Sequence, residues 1–176
     1  MTVLPKDPLL AAARIIIIVV MAVLGLAATA LVVAAGYVVI DPAGLAAEFA
    51  NERLAAPDGR MIAAILTIIL LALIALALIA LFLLNLLRVV DSVGAGDPFA
   101  PVNAERLARM GWLMLAVQLV PLAIGALAAW IGRRVDLGDV DVGISADGIV
   151  LALVLFILAR VFRQGAAMRE VLEGTV

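Results

Sequence analysis

Four apolar stretches govern what this chain can fold into. The first runs from Ile15 to Ile40, between Arg14 and Asp41. The second runs from Met61 to Leu87, between Arg60 and Arg88, and the third from Met110 to Gly132, between Arg109 and Arg133. Each exceeds the roughly 20 residues that carry a helix across a hydrocarbon layer about 30 Å thick. The fourth is shorter, since its charge-free core is only Gly148 to Ala159. Counted from about 143 to 162 it regains the length of a span, with Asp147 at one interface and Arg160 snorkelling at the other. Hydrocarbon offers no partner to a peptide N–H, so each stretch must satisfy its own backbone as a helix. Composition agrees: 67% of the chain is apolar and 15% charged, against about half and a quarter in a soluble domain. The expected fold is therefore all-α, a single four-helix transmembrane bundle over residues 1–176. Its spans are about 15–40, 61–87, 110–132 and 143–162, and an amphipathic cytoplasmic tail follows at 163–176.

A secretory leader is the competing reading of the first stretch. Its apolar run of 26 residues is far longer than the roughly 7–15 of a cleaved apolar region, so an uncleaved span is expected. Orientation follows from the basic residues. Lys6, Arg14, Arg88, Arg106, Arg109, Arg160, Arg163 and Arg169 fall on one side; Arg53, Arg60, Arg133 and Arg134 fall on the other. The positive-inside rule places both termini and the middle loop in the cytoplasm of a multi-pass bacterial inner-membrane protein.

The residues that are missing exclude whole classes of chemistry. The chain has no cysteine and no histidine. Disulfides, thiolate nucleophiles, imidazole bases and the usual zinc sites are unavailable to it. No acid–base pair or nucleophile set converges in the sequence, so no enzyme and no cofactor is expected. A net charge of −2 gives no global attraction to nucleic acid, so no direct nucleic-acid binding is expected either.

The loops carry more information. Asp41 and Pro42 read as an N-cap and first helical residue, opening a short interfacial helix in which Leu45 and Phe49 share a face apart from Glu48 and Glu52. Between the third and fourth spans, Val135, Leu137, Val140 and Val142 alternate with Asp136, Asp139 and Asp141, a pattern compatible with a small hairpin around Gly138-Asp139. The acidic residues there lack the spacing of a calcium loop. In the middle loop, Gly94 and Gly96 allow a turn, Pro98 stiffens it, and Pro101 is a good first helical residue. No nucleotide-loop spacing is present. Leu107 and Met110 are expected toward the bilayer, Arg106 and Arg109 toward water or phosphate, and Phe99 tucked beneath the helices.

Inside the spans, Asn85 and Gln118 are the polar exceptions, each expected to bond across helices. Pro121 removes a backbone donor from the third span. No carboxylate lies at a span's centre, which argues against a proton-coupled pump. Small-residue pairs (Ala30 with Ala34, Gly125 with Ala129, Ala128 with Gly132) favour close helix packing and permit a homo-oligomer. In the tail, Val161, Gly165, Met168 and Leu172 share one face, with Arg163, Gln164, Glu170 and Glu173 elsewhere. Such a helix either lies on lipid headgroups or docks a soluble partner.

The residues Gly96, Pro98, Phe99, Asn103, Arg106 and Gly111 at the mouth of the third span, with Val161-Phe162-Arg163-Gln164-Gly165 and then Glu173, Thr175 and Val176 in the tail, resemble a bacterial four-span membrane family catalogued as a domain of unknown function. The similarity covers nearly the whole chain. It departs at Ala100, where that family usually carries Ser or Thr, so the helix-capping hydroxyl is absent unless Asp97 or Asn103 substitutes. Members of that family are often encoded beside a small helix-turn-helix regulator, which implies a membrane partner for a DNA-binding protein. The function expected is thus a non-enzymatic interaction or regulatory protein in contact with membrane lipid. It would hold a small cytoplasmic partner through Asp97, Phe99, Asn103, Arg106, Arg109, Arg163 and Glu170. The alternative is a small transporter, channel or immunity-type protein for a hydrophobic solute, with Asn85, Gln118 and the Pro121 kink lining its path.

Overall fold

The computed structural model describes residues 7–52, 56–135 and 146–173. They form five helices: α1 (Pro8–Ile40), α2 (Pro42–Asn51), α3 (Gly59–Gly94), α4 (Pro101–Val135) and α5 (Ala146–Glu173). Residues 136–145, where the hairpin was expected, lie outside the described set. Each long helix outruns its apolar stretch. A helix ends where its caps are, not where the hydrocarbon stops, so α3 continues past Leu87 to Gly94 and α4 begins at Pro101, before Met110.

The local signals explain the boundaries. The Asp41 carboxylate accepts a 2.9 Å bond from the Gly44 amide, with Pro42 next in line, which starts α2 as its sequence predicts. Leu45 of α2 is buried and Glu48 exposed. Asp58 caps α3 in the same way, accepting from the Met61 amide at 2.7 Å. Thr29 and Thr67 return their hydroxyls to carbonyls one turn back on their own helices, so neither polar group is left bare in an apolar setting.

Among the described residues, three helices are long and apolar enough to cross a membrane: α1, α3 and the Pro101–Ile131 part of α4. Their apolar side chains mostly point outward. In the most apolar windows only 6%, 0% and 11% of residues are buried within the protein. Ile15, Ile16, Val19, Val23, Leu26 and Val33 of α1 are all exposed. Helices whose exteriors are this apolar require a non-aqueous solvent, and the protein is a membrane protein on that ground. In α5 the residues Ile149 to Leu158 repeat the pattern, with Ile149, Val150, Leu153 and Ile157 outward.

Packing divides the chain into two compact units. One contains α1 from Leu24, α2, α3 to Ala77, and α4 from Gln118. The other contains α1 to Val23, α3 from Leu78, α4 to Val117, and α5. The core of the latter is Leu107 and Met110 of α4 with Leu155 and Ala159 of α5, against which Phe82, Leu86, Ala108 and Phe162 pack. Leu107 and Met110 therefore face protein, correcting the expectation that they face the bilayer. Trp112 and Phe156 meet edge to face at 5.4 Å, and Gly111 makes room: a Cβ there would lie 2.8 Å from the Phe156 ring.

Candidate functional site

The polar residues of the second unit gather where α3 turns into α4. α3 ends in a left-handed glycine cap. Gly96 adopts φ +86°, its amide bonds to the Val93 carbonyl, and the Asp97 amide reaches the Ser92 carbonyl. This crossed pair of bonds is the motif that glycine's freedom at positive φ makes inexpensive. Pro98 and Pro101 then restrict the return into α4.

Asn103 locks the corner. It is fully buried at 0% exposure. Its amide donates to Ser92 Oγ at 2.9 Å and to the Pro98 carbonyl at 3.0 Å. Its Oδ1 accepts from the Arg106 guanidinium at 3.0 Å. Ser92 passes the chain on by donating to the Asp97 carbonyl at 2.8 Å, and Arg106 also donates to the Arg88 carbonyl at 3.2 Å. The Asn103 side chain thus ties α4 back to the loop and α3 instead of capping α4's own amides. Its backbone amide bonds to the Ala100 carbonyl at 2.8 Å.

Charges fasten two further elements. Arg14 of α1 pairs with Asp91 of α3 at 2.9 Å, the arginine side chain only 16% exposed. Arg169 of α5 pairs with Asp97 at 2.7 Å, with both side chains about half exposed. An exposed pair of this kind contributes at most about 1 kcal/mol, so it positions the tail more than it stabilises it. The Phe99 ring lies 5.5 Å from Phe162, tilted by 43°, and packs over Gly165, where a Cβ would come within 2.7 Å of it.

The proposed contact residues therefore divide. Asp97, Phe99, Asn103 and Arg106 are brought together and engage one another, the loop or α5. Arg106 spends its guanidinium on two oxygens of the corner and does not simply face water. Arg109 and Arg163 are exposed. Glu170 lies on α5, its side chain outside the described set. Asn85 is buried, but its amide donates to the Leu81 carbonyl one turn back on its own helix; the expected bond to another helix is not found. Gln118 is half-buried on α4, in the other unit. Sequence reasoning missed Ser92 as part of the corner, and Asp91 and Arg14 as the pair that fastens α1 to α3 beside it. One signal was available: Asp91 is the first carboxylate after the second apolar run, and an arginine, Arg14, precedes the first apolar run on the same expected side.

The tail meets the protein through small residues and leaves much of its apolar stripe outward. Ala159 and Ala166 are buried and Phe162 and Gly165 half-buried, whereas Val161 and Met168 are exposed. Between the small residues and α4 lie two open grooves. The first, about 440 Å³, is lined by Ala108, Phe156, Ala159, Arg160, Arg163 and Gln164. The second, about 420 Å³, is lined by Pro101, Glu105, Arg163, Ala166 and Ala167. Among the described residues Arg88, Arg109, Arg160 and Arg163 make no ion pair. Among the same residues, no three acidic side chains gather as a metal would need.

A family model described as "Protein of unknown function (DUF2975)" matches residues 37–176. No curated protein matches the chain, and no solved structure does. The matched range takes in α2 to α5, and with them the Asn103 corner and both grooves. The chain belongs to the DUF2975 family, whose function is unknown.

Proposed function

We propose that this protein is a non-enzymatic, four-span component of the bacterial inner membrane that holds a small cytoplasmic protein at the membrane surface. In this reading α5 is the fourth span, both termini are cytoplasmic, and the partner is a small helix-turn-helix regulator. The observation that carries it is the contrast within one site. The corner is cross-linked by the side chains of Ser92, Asn103 and Arg106, while beside it the second groove presents Glu105 and Arg163 to water, with Arg109 exposed one turn further along α4. Rigid scaffolds with exposed, unpaired charges at their rim suit docking, because little ordering entropy is lost on binding and charge sets the register.

The test uses tagged full-length protein purified from its own host in mild detergent. Glu105→Arg combined with Arg109→Glu is expected to release a small helix-turn-helix protein that wild type retains, with insertion unchanged. Asp97→Asn, which removes only the exposed pair to Arg169, is expected to retain it. Equal retention by the doubly reversed variant would overturn the proposal. The fourth span is checked separately. The chain lacks cysteine, so single cysteines introduced at Ile149, Leu153 and Ile157 can be probed with a water-soluble maleimide. They are expected to resist labelling in intact membranes, and full labelling at all three would remove α5 from the bilayer.

A further inference from the structure

The two grooves between α4 and α5 sit at different depths. α4 enters its apolar stretch as it proceeds from Pro101 to Met110, while α5 leaves its own as it proceeds from Ala159 to Ala167. The lining residues pair accordingly: Ala108 shares a groove with Phe156 to Gln164, whereas Pro101 and Glu105 share one with Arg163 to Ala167. The first groove is therefore displaced toward the apolar runs by about one helical turn, near 5–6 Å along each helix. Its floor is apolar, from Phe156, Ala159 and Ala108, and its rim is basic and amide, from Arg160, Arg163 and Gln164. Among the described residues no carboxylate lines it. Arg160 and Arg163 are three residues apart on one helix, a spacing that sets their side chains over the same surface. Neither makes an ion pair among the described residues, although Arg163 also borders the second groove with Glu105. Trp112, one turn along α4 from Ala108, is 67% exposed with its ring against Phe156, the placement of an aromatic residue at headgroup level.

We infer that the first groove binds one anionic phospholipid. Its phosphate sits between the Arg160 and Arg163 guanidinium groups, which can each offer paired N–H donors to phosphate oxygens. Gln164 bonds to the headgroup, and the upper part of an acyl chain lies on Phe156 and Ala159. The volume of about 440 Å³ accommodates a headgroup and the first methylenes, within the range of about 300–1,000 Å³ usual for small-molecule sites. The second groove differs in chemistry as well as depth, because Glu105 repels a phosphate there. The inference depends on α5 entering the bilayer and not on the identity of any protein partner.

The experiment reconstitutes the full chain in nanodiscs of mixed phosphatidylglycerol and phosphatidylcholine and measures, by native mass spectrometry, which lipid stays bound. Wild type is expected to retain phosphatidylglycerol in preference to phosphatidylcholine. Arg160→Gln with Arg163→Gln is expected to cut that preference about thirtyfold, since two arginines near the surface are lost, and Arg160→Gln alone to cut it about fivefold. Both positions are exposed, so folding should persist; the single variant reports even where the double one does not assemble. Glu105→Gln is expected to leave the preference intact while bearing on partner retention, which separates failure of this inference from failure of the docking proposal. Absence of a preference in wild type would overturn the inference. So would an unchanged preference in Arg160→Gln, an equal loss in Glu105→Gln, or displacement of the lipid by inorganic phosphate at equal concentration.

Discussion

Replacing Asn103 with alanine is expected to destabilise the protein by about 2–4 kcal/mol. The side chain is fully buried and makes three hydrogen bonds, to Ser92, Pro98 and Arg106. Each bond contributes only about 1 kcal/mol net, but removing one partner leaves the other stranded in a site closed to water, which costs about 1–3 kcal/mol more. The Pro98 carbonyl would lose the amide that satisfies it, and Arg106 would keep only the Arg88 carbonyl. Ser92→Ala removes a smaller part of the chain of bonds and is expected to cost about 1–2 kcal/mol. Asn103→Asp is expected to be no rescue, because a carboxylate cannot donate to Ser92 Oγ or to the Pro98 carbonyl. Equilibrium denaturation in a single detergent gives the ordering. An Asn103→Ala midpoint equal to that of wild type would show that the corner is held by other means.

The second large effect changes sign with its context. Gly165→Ala is expected to cost about 1–2 kcal/mol in wild type, because the new methyl would meet the Phe99 ring at 2.7 Å and force it off Phe162. Alanine is otherwise the better helix residue by about 1 kcal/mol. In a Phe99→Ala background the obstacle is gone, and Gly165→Ala is expected to stabilise. The double-mutant cycle should therefore show a coupling of roughly 2 kcal/mol between loop and tail. Additive single effects would mean that the ring already lies elsewhere in solution.

The helices were readable because hydrocarbon leaves the backbone no other option, and their starts because Asp41-Pro42 and Pro101 have specific geometric roles. The packing of α5 was not. At a membrane boundary an apolar side chain has two favourable destinations, protein and lipid, and hydrophobic spacing cannot tell them apart. Val161, Gly165 and Met168 share the apolar face that the spacing assigns to headgroups or a partner; Val161 and Met168 are exposed, while Gly165 lies at the contact with Ala159 and Ala166. Small size was the more informative property, since it permits helices to approach. The corner was half legible for a related reason. Gly96, Pro98 and Asn103 signal a turn, but a polar side chain carries the same donors whether it serves a partner or its own fold. Asn103 and Arg106 read as contact residues until Ser92, Pro98 and Arg88 are seen to use them. Asn85 likewise answers its own helix at Leu81.

The bonds that close the α3–α4 corner all join residues between Arg88 and Arg106. That stretch leaves the ribosome as one short piece, some forty residues ahead of α5. The hairpin can thus set during translation, with no waiting for distant sequence. Phe99 and Asp97 are then standing in place when the final helix is delivered, and Gly165 and Arg169 give the newcomer a register to adopt on arrival.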